Sequence, residues 1–185
     1  PIGFGGPTGP LPLMRSDDGD LSRLTDKSWS LLFKSNTPPW LYRCGGGPSW
    51  IECDSDGRPE PRPMTDDRLR HALARLADWR KMAKNGDLVP AYPPPVLLKN
   101  VLATPDPALP VLTGIVTAPV FGRDGSLITE PGYHPATRLL YRPVQGFSLP
   151  AIPERPTPLQ IAVARDLLLD DLFGEIEVRT GPALT

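Results

Sequence analysis

Apolar positions along this chain come in short bursts whose period keeps changing. Between residues 20 and 34, Leu21, Leu24, Leu31 and Leu32 fall at helical spacing with Trp29 beside them, and Asn36-Thr37-Pro38-Pro39 ends the run. Residues 40–44 and 49–53 are rich in β-formers and are split by Gly45-Gly46-Gly47-Pro48, a hairpin signal, before Asp54-Ser55-Asp56-Gly57 turns the chain into a Pro-rich connection. Helical spacing returns at Leu69, Ala72, Leu73 and Leu76. Thr65 is the expected N-cap there, and Asp66 and Asp67 complement the positive helix end. Residues 79–82 read as extended, with Asn85-Gly86 as a type I′ turn into Leu88-Val89.

Pro93-Pro94-Pro95 opens a short helix through Val96, Leu97, Val101 and Leu102. The stretch 110–142, PVLTGIVTAPVFGRDGSLITEPGYHPATRLLYR, packs short strand candidates around the Asp124-Gly125 turn and a Pro-Gly-Tyr corner. A last helix runs from Thr157-Pro158 through Ile161, Ala164, Leu167, Leu168 and Leu172, with Gly174 as its stop and a possible strand at 175–179. Short helices and short antiparallel hairpins in this order give an α+β class rather than alternating βαβ units. The alternative is a winged-helix-like arrangement with residues 95–102 as the recognition helix and a hairpin as the wing. In the compact α+β reading Leu69, Leu73, Leu76, Ile115, Leu127, Leu139, Leu167 and Leu168 are expected inside. Residues 1–16 read as a Pro/Gly-rich linker or arm, and 17–185 as a single accessory domain.

Composition sharpens this picture. The 185 residues include 26 prolines and 17 glycines, about twice the average share, so long uninterrupted elements are excluded. Net charge is −1, which gives no global attraction to nucleic acid. Its distribution is uneven: residues 62–84 hold seven Lys/Arg against three Asp, and residues 154–177 hold six acidic residues against two arginines. The two cysteines, Cys44 and Cys53, are too few for a disulfide scaffold and lack zinc-ligand spacing with His71 and His134. They are either free thiols or a bridge across the hairpin. No apolar run reaches the length of a membrane span, so a cytoplasmic protein is expected. The start at Pro1 reads as a piece of a longer or processed chain.

The sequence contains no phosphate-binding loop, no G-x-S-x-G nucleophile motif and no twelve-residue calcium loop. No catalytic residue, metal ligand or cofactor is therefore assigned. The basic cluster carries the candidate chemistry. Arg68, Arg75, Arg80, Lys81 and Lys84 can neutralise phosphates and release counterions, with Trp79 or Tyr92 offered to bases. Trp40, Tyr42, Arg43 and Trp50 interleave aromatics and charge in the same way; the competing reading is that they fill a small core.

Several wordings recur together: Met64-Thr65-x-x-x-Leu69, Leu109-Pro110-x-Leu112-x-Gly114-Ile115, Ala118-Pro119-Val120, Asp124-Gly125-x-Leu127, Pro131-Gly132-Tyr133-x-Pro135-x-Thr137-x-Leu139 and Pro153-x-x-Pro156-Thr157. This pattern, strongest between residues 64 and 157, resembles the region preceding the AAA+ ATPase motor in replication helicases and primase-helicases of phages and mobile elements. The chain departs from it with His134 where Gly-Tyr-Asp-Pro is common, and with Arg138 where Thr-Gly-Leu is frequent. The resemblance implies a non-catalytic DNA-binding or accessory domain beside a motor that this chain lacks. It also leaves open an assembly module contacting a neighbouring subunit, or an enzyme fragment completed elsewhere.

Overall fold

Helix α1 (Leu21–Ser35) begins at Asp20, whose side chain accepts from the Arg23 amide, and buries Leu24, Ser28, Trp29 and Leu32. Helix α2 (Asp66–Leu76) is capped by Thr65 as its sequence predicts, and Leu69, Ala72, Leu73 and Leu76 are all buried. Helix α3 (Pro95–Leu102) starts on proline and buries Leu97, Leu98 and Val101. The three helices pack against one another and share one apolar cluster with Met14, Leu41, Met64, Trp79 and Leu109. Apolar area removed from water drives this union. The computed structural model describes residues 9–123, 125–144, 146–149, 153 and 155–172.

Around the helices lie four small sheets. Strand β1 (Leu13–Arg15) pairs in parallel with β5 (Asp78–Met82), which pairs antiparallel with β6 (Leu88–Pro90). The arm read at residues 1–16 is thus corrected over its last part: Met14 enters the core and Leu13–Arg15 forms an edge strand. Strands β2 (Leu41–Cys44), β3 (Gly47–Cys53) and β4 (Pro59–Pro63) form an antiparallel meander. The Pro-rich connection is therefore a strand as well. Prolines occupy alternate positions 59, 61 and 63, and the Met64 amide donates to the Pro48 carbonyl at 2.9 Å. By the alternation of an antiparallel ladder, the amides of Glu60 and Arg62 also face β3, and the prolines withhold donors only from the outer edge. Such an edge cannot template further pairing.

In the region after α3, β7 (Gly114–Val116) pairs in parallel with β11 (Leu139–Tyr141), and β10 (Gly132–His134) adds to β11 antiparallel. A separate hairpin joins β8 (Val120–Phe121) to β9 (Leu127–Ile128). A second apolar cluster of Tyr42, Ile51, Leu112 and Leu140 connects this region to the β2–β3 ladder. Two expected core positions are one residue off: Ile128 and Leu140 are buried, while Leu127 and Leu139 are half-buried, as is Ile115. In strands of two or three residues the alternation has too few repeats to show which face is inward.

The turns also differ from expectation at Asn85-Gly86. The Gly86 amide donates to Ala83 O and the Ala83 amide to Asp87 O, with Gly86 at φ 88°. This is a type I turn with a glycine bulge rather than type I′, and the same bonds recur at residues 54–58 and 122–126, with Gly57 and Gly125 in the fourth position. Glycine takes that left-handed position without a Cβ clash.

Backbone contacts divide the chain into two compact units, residues 1–147 and 148–185. In the second, α4 (Pro158–Asp166) opens with a Thr157–Gln160 capping box and continues as a π-helical turn over Leu167–Leu172. Leu167 and Leu168, expected inside, are 59% and 49% exposed. The apolar residues Leu159, Ile161, Val163, Leu167, Leu168 and Leu169 occur all round the helix, so no single stripe could bury them. The proposed stop at Gly174 and strand at 175–179 lie outside the described residues.

The fold is therefore α+β. For the winged-helix-like alternative, α2, not α3, runs directly into a hairpin, while α3 buries Leu97, Leu98 and Val101 and leaves Val96 exposed.

One buried side chain tests the helix-to-sheet junction. Asn36 Oδ1 accepts from the Trp40 and Leu41 amides at 2.8 Å each, and its Nδ2 donates to Leu41 O at 2.8 Å. Asn36→Ala leaves these backbone groups unpaired and is expected to cost about 3 kcal/mol in urea denaturation. Asn36→Asp keeps the two acceptor bonds and should cost less.

Candidate nucleic-acid interface

The six residues assigned to nucleic-acid contact sit on α2 and on the hairpin that follows it. Their roles separate by burial and pairing. Trp79 is 4% exposed and its indole Nε1 donates to Leu73 O at 2.9 Å. It is a core residue, and the expectation that it stacks on a base is corrected. Lys81 lies on the same face of β5 by alternation but beyond the core edge, where it is exposed.

Arg68 is held twice. Its guanidinium lies 3.7 Å from the centre of the Trp50 ring and its Nη2 is 3.4 Å from Glu52 Oε1. Glu52 also meets Arg62, which in turn pairs with Glu60 at 2.9 Å. That network is close to charge balance, so Arg68 offers little net field to a phosphate. Arg80 is likewise engaged, with Nε at 2.9 and 3.0 Å from the two Asp78 oxygens. Arg75, Lys81 and Lys84 are exposed and form no ion pair among the described residues. Lys84 occupies the hairpin turn itself.

Tyr92 follows β6 and is 81% exposed, so the aromatic offered to solvent near the hairpin is this one. Of the other interleaved aromatics, Tyr42 fills the interior, and Trp40 and Trp50 are half-buried against the helical cluster. Tyr42 is buried, its hydroxyl donates to Pro39 O at 2.8 Å, and burial pushes its pKa up to about 12. Trp40 is half-buried with Nε1 donating to Ser35 O at 3.0 Å, and Arg43 pairs with Asp106 at 2.9 Å.

Sequence reasoning missed Arg15, which the parallel register places beside Arg80 on the outer face of the sheet. Nothing local marked it, since its place there depends on pairing across more than sixty residues. Arg15 grips Asp17 through Nε and Nη2 at 3.1 and 3.0 Å, and Asp17 Oδ2 also accepts the Met82 amide at 2.9 Å. The clasp joins the end of β1 to the end of β5. Two favourable partners stabilise the carboxylate, Arg15 foremost and the Met82 amide next, and lower its pKa to about 2.

Among the described residues neither histidine hydrogen-bonds a serine or cysteine side chain. His71 is exposed and lines a small recess with Arg68 and Trp50, while His134 Nε2 meets Glu130 O at 2.7 Å. Cys44 and Cys53 are free. Cys44 is opposite Gly47 at one end of β3 and Cys53 ends the strand, about 20 Å away by the strand rise, so no bridge can form. Among the described residues no group of three or more His, Cys, Asp or Glu gathers to hold a metal ion, and no helix is long and apolar enough to cross a membrane.

No family model matches the chain, and no curated protein or solved structure does.

The clasp predicts a pH response. A folded-state pKa below the ordinary 3.8 means that Asp17 stabilises the fold above about pH 4, and that this contribution fades as pH falls toward 2. The Met82 amide resonance should titrate with a midpoint near 2, and Asp17→Asn should abolish the step. A midpoint at the ordinary carboxylate value would refute the clasp.

Proposed function

We propose that residues 9–147 form a non-catalytic DNA-engaging accessory module, acting beside the AAA+ motor of a phage or mobile-element replication helicase or primase-helicase. The observation that carries the DNA contact is the β5–β6 hairpin: Lys81 and Lys84 stand exposed and unpaired with ion-pair partners among the described residues, Arg75 precedes them at the end of α2, and Trp79 anchors the strand in the core. A strand anchored in the core beneath exposed cations limits the ordering cost of contact. Exposed lysines release counterions from phosphates, and Tyr92 adds a stacking surface beside them. The helicase setting rests on the sequence resemblance between residues 64 and 157.

A second reading, assembly, is favoured by a different observation. The segment 158–169 exposes Leu159, Ile161, Val163, Leu167, Leu168 and Leu169 together, and apolar surface on that scale is ordinarily covered by a partner. Its acidic residues Asp166 and Asp170 would set the charge of the rim.

Anisotropy titrations of labelled single- and double-stranded DNA at several salt concentrations separate the two. Under the DNA reading, affinity falls steeply with salt, and a combined Arg75→Glu, Lys81→Glu, Lys84→Glu variant binds at least about tenfold more weakly with a shallower salt slope. Unchanged binding in that variant would remove the hairpin from the contact. Absence of binding at low salt, together with a concentration-dependent dimer in solution mass measurements, would favour assembly.

A further inference from the structure

A second surface, separate in residues from the hairpin, has the chemistry of a ligand site. The β8–β9 hairpin and the turn between β10 and β11 enclose an open cleft of about 640 Å³, a size that suits a small organic ligand. Phe121, Arg123, Thr113, Thr137 and Arg138 line it. Phe121 is 73% exposed, an unusual position for a phenyl ring with no polar atom to hydrate. Neither arginine forms an ion pair among the described residues, and no described lining residue is acidic.

Arg138 adds an independent observation. Its φ is +59°, in the left-handed region that a side chain disfavours and glycine accepts. The turn is nonetheless well tied. Arg138 N donates to His134 O at 2.8 Å, the Thr113 amide donates to Arg138 O at 2.9 Å, and Thr113 Oγ1 donates to the same oxygen at 3.1 Å. Backbone strain held in place by its surroundings points toward function. Glycine would serve the turn better, yet the position holds an arginine that lines the cleft.

We propose that this cleft binds a nucleotide unit, with its base on Phe121 and its phosphate between Arg123 and Arg138. An aromatic face accepts any base, and guanidinium groups offer paired donors to phosphate oxygens. The unit can come as a free nucleotide or within a single strand, whereas a duplex, with its bases stacked inside, offers Phe121 nothing.

The test measures binding of a labelled oligothymidylate, of thymidine monophosphate and of a duplex to the wild-type chain and to Phe121→Ala, Arg123→Glu and Arg138→Gly. Each variant is expected to weaken oligothymidylate binding about tenfold, and Arg138→Gly should melt no lower than wild type because it relieves the left-handed residue. Monophosphate binding that the same variants weaken identifies the free nucleotide as a ligand; binding of the oligonucleotide alone identifies the strand. Duplex affinity should not move in these variants. The proposal is overturned if wild type binds neither single-stranded probe, or if all three variants bind as wild type does. The hairpin triple variant measured in parallel keeps the two sites distinguishable: it can fail while the cleft stands, and the converse.

Discussion

The indole of Trp79 is the contact on which the arrangement of the first unit turns. It places the central strand of the β1-β5-β6 sheet against α2 through the bond to Leu73 O, while its rings join the three-helix cluster. β1 can then pair with β5 only where Met14 enters the same cluster, which sets Arg15 beside Arg80. The hairpin tip projects beyond the last buried residue, and that is why its lysines stay in water. Burying a ring of this size contributes several kcal/mol, far more than any exposed ion pair around it.

A chain with so many prolines and glycines cannot build long elements, and the molecule turns this limit to use. Proline at alternate positions of β4 seals a sheet edge without losing the inner ladder, and three hairpins end in the same glycine-bulged turn. Two apolar clusters result, one mainly helical and one between small sheets. The second has only four buried residues, so the cleft between β8–β9 and the β10–β11 turn is built from short pieces whose positions depend on backbone bonds such as those at Thr113.

Pairing is what distinguishes charge that could act on a partner from charge already spent within the fold. Arg68 and Arg80 look equivalent to Lys81 and Lys84 in the sequence, yet each has a carboxylate within 3.4 Å. The same distinction applies to aromatics: Tyr42 and Trp79 are structural, whereas Tyr92 and Phe121 face solvent. Candidate contact residues are thus the ones left over after the fold has satisfied itself.

Local chemistry was legible in the sequence wherever several residues cooperated over one or two turns. The cap at Thr65, the Thr157-Pro158 start of α4, the stripes of α1 and α2 and the proline start of α3 all follow from neighbours within a few positions. Burial in strands of two or three residues was not legible, because Leu127 against Ile128 and Leu139 against Leu140 differ only in which side meets a distant partner. The place of Leu13–Arg15 in a sheet, the withdrawal of Trp79 from any base and the exposure of Arg138 at a cleft were decided by contacts between segments far apart in the chain. Helical periodicity is written into adjacent residues, whereas strand pairing and the neutralisation of a charge exist only once the chain has closed on itself.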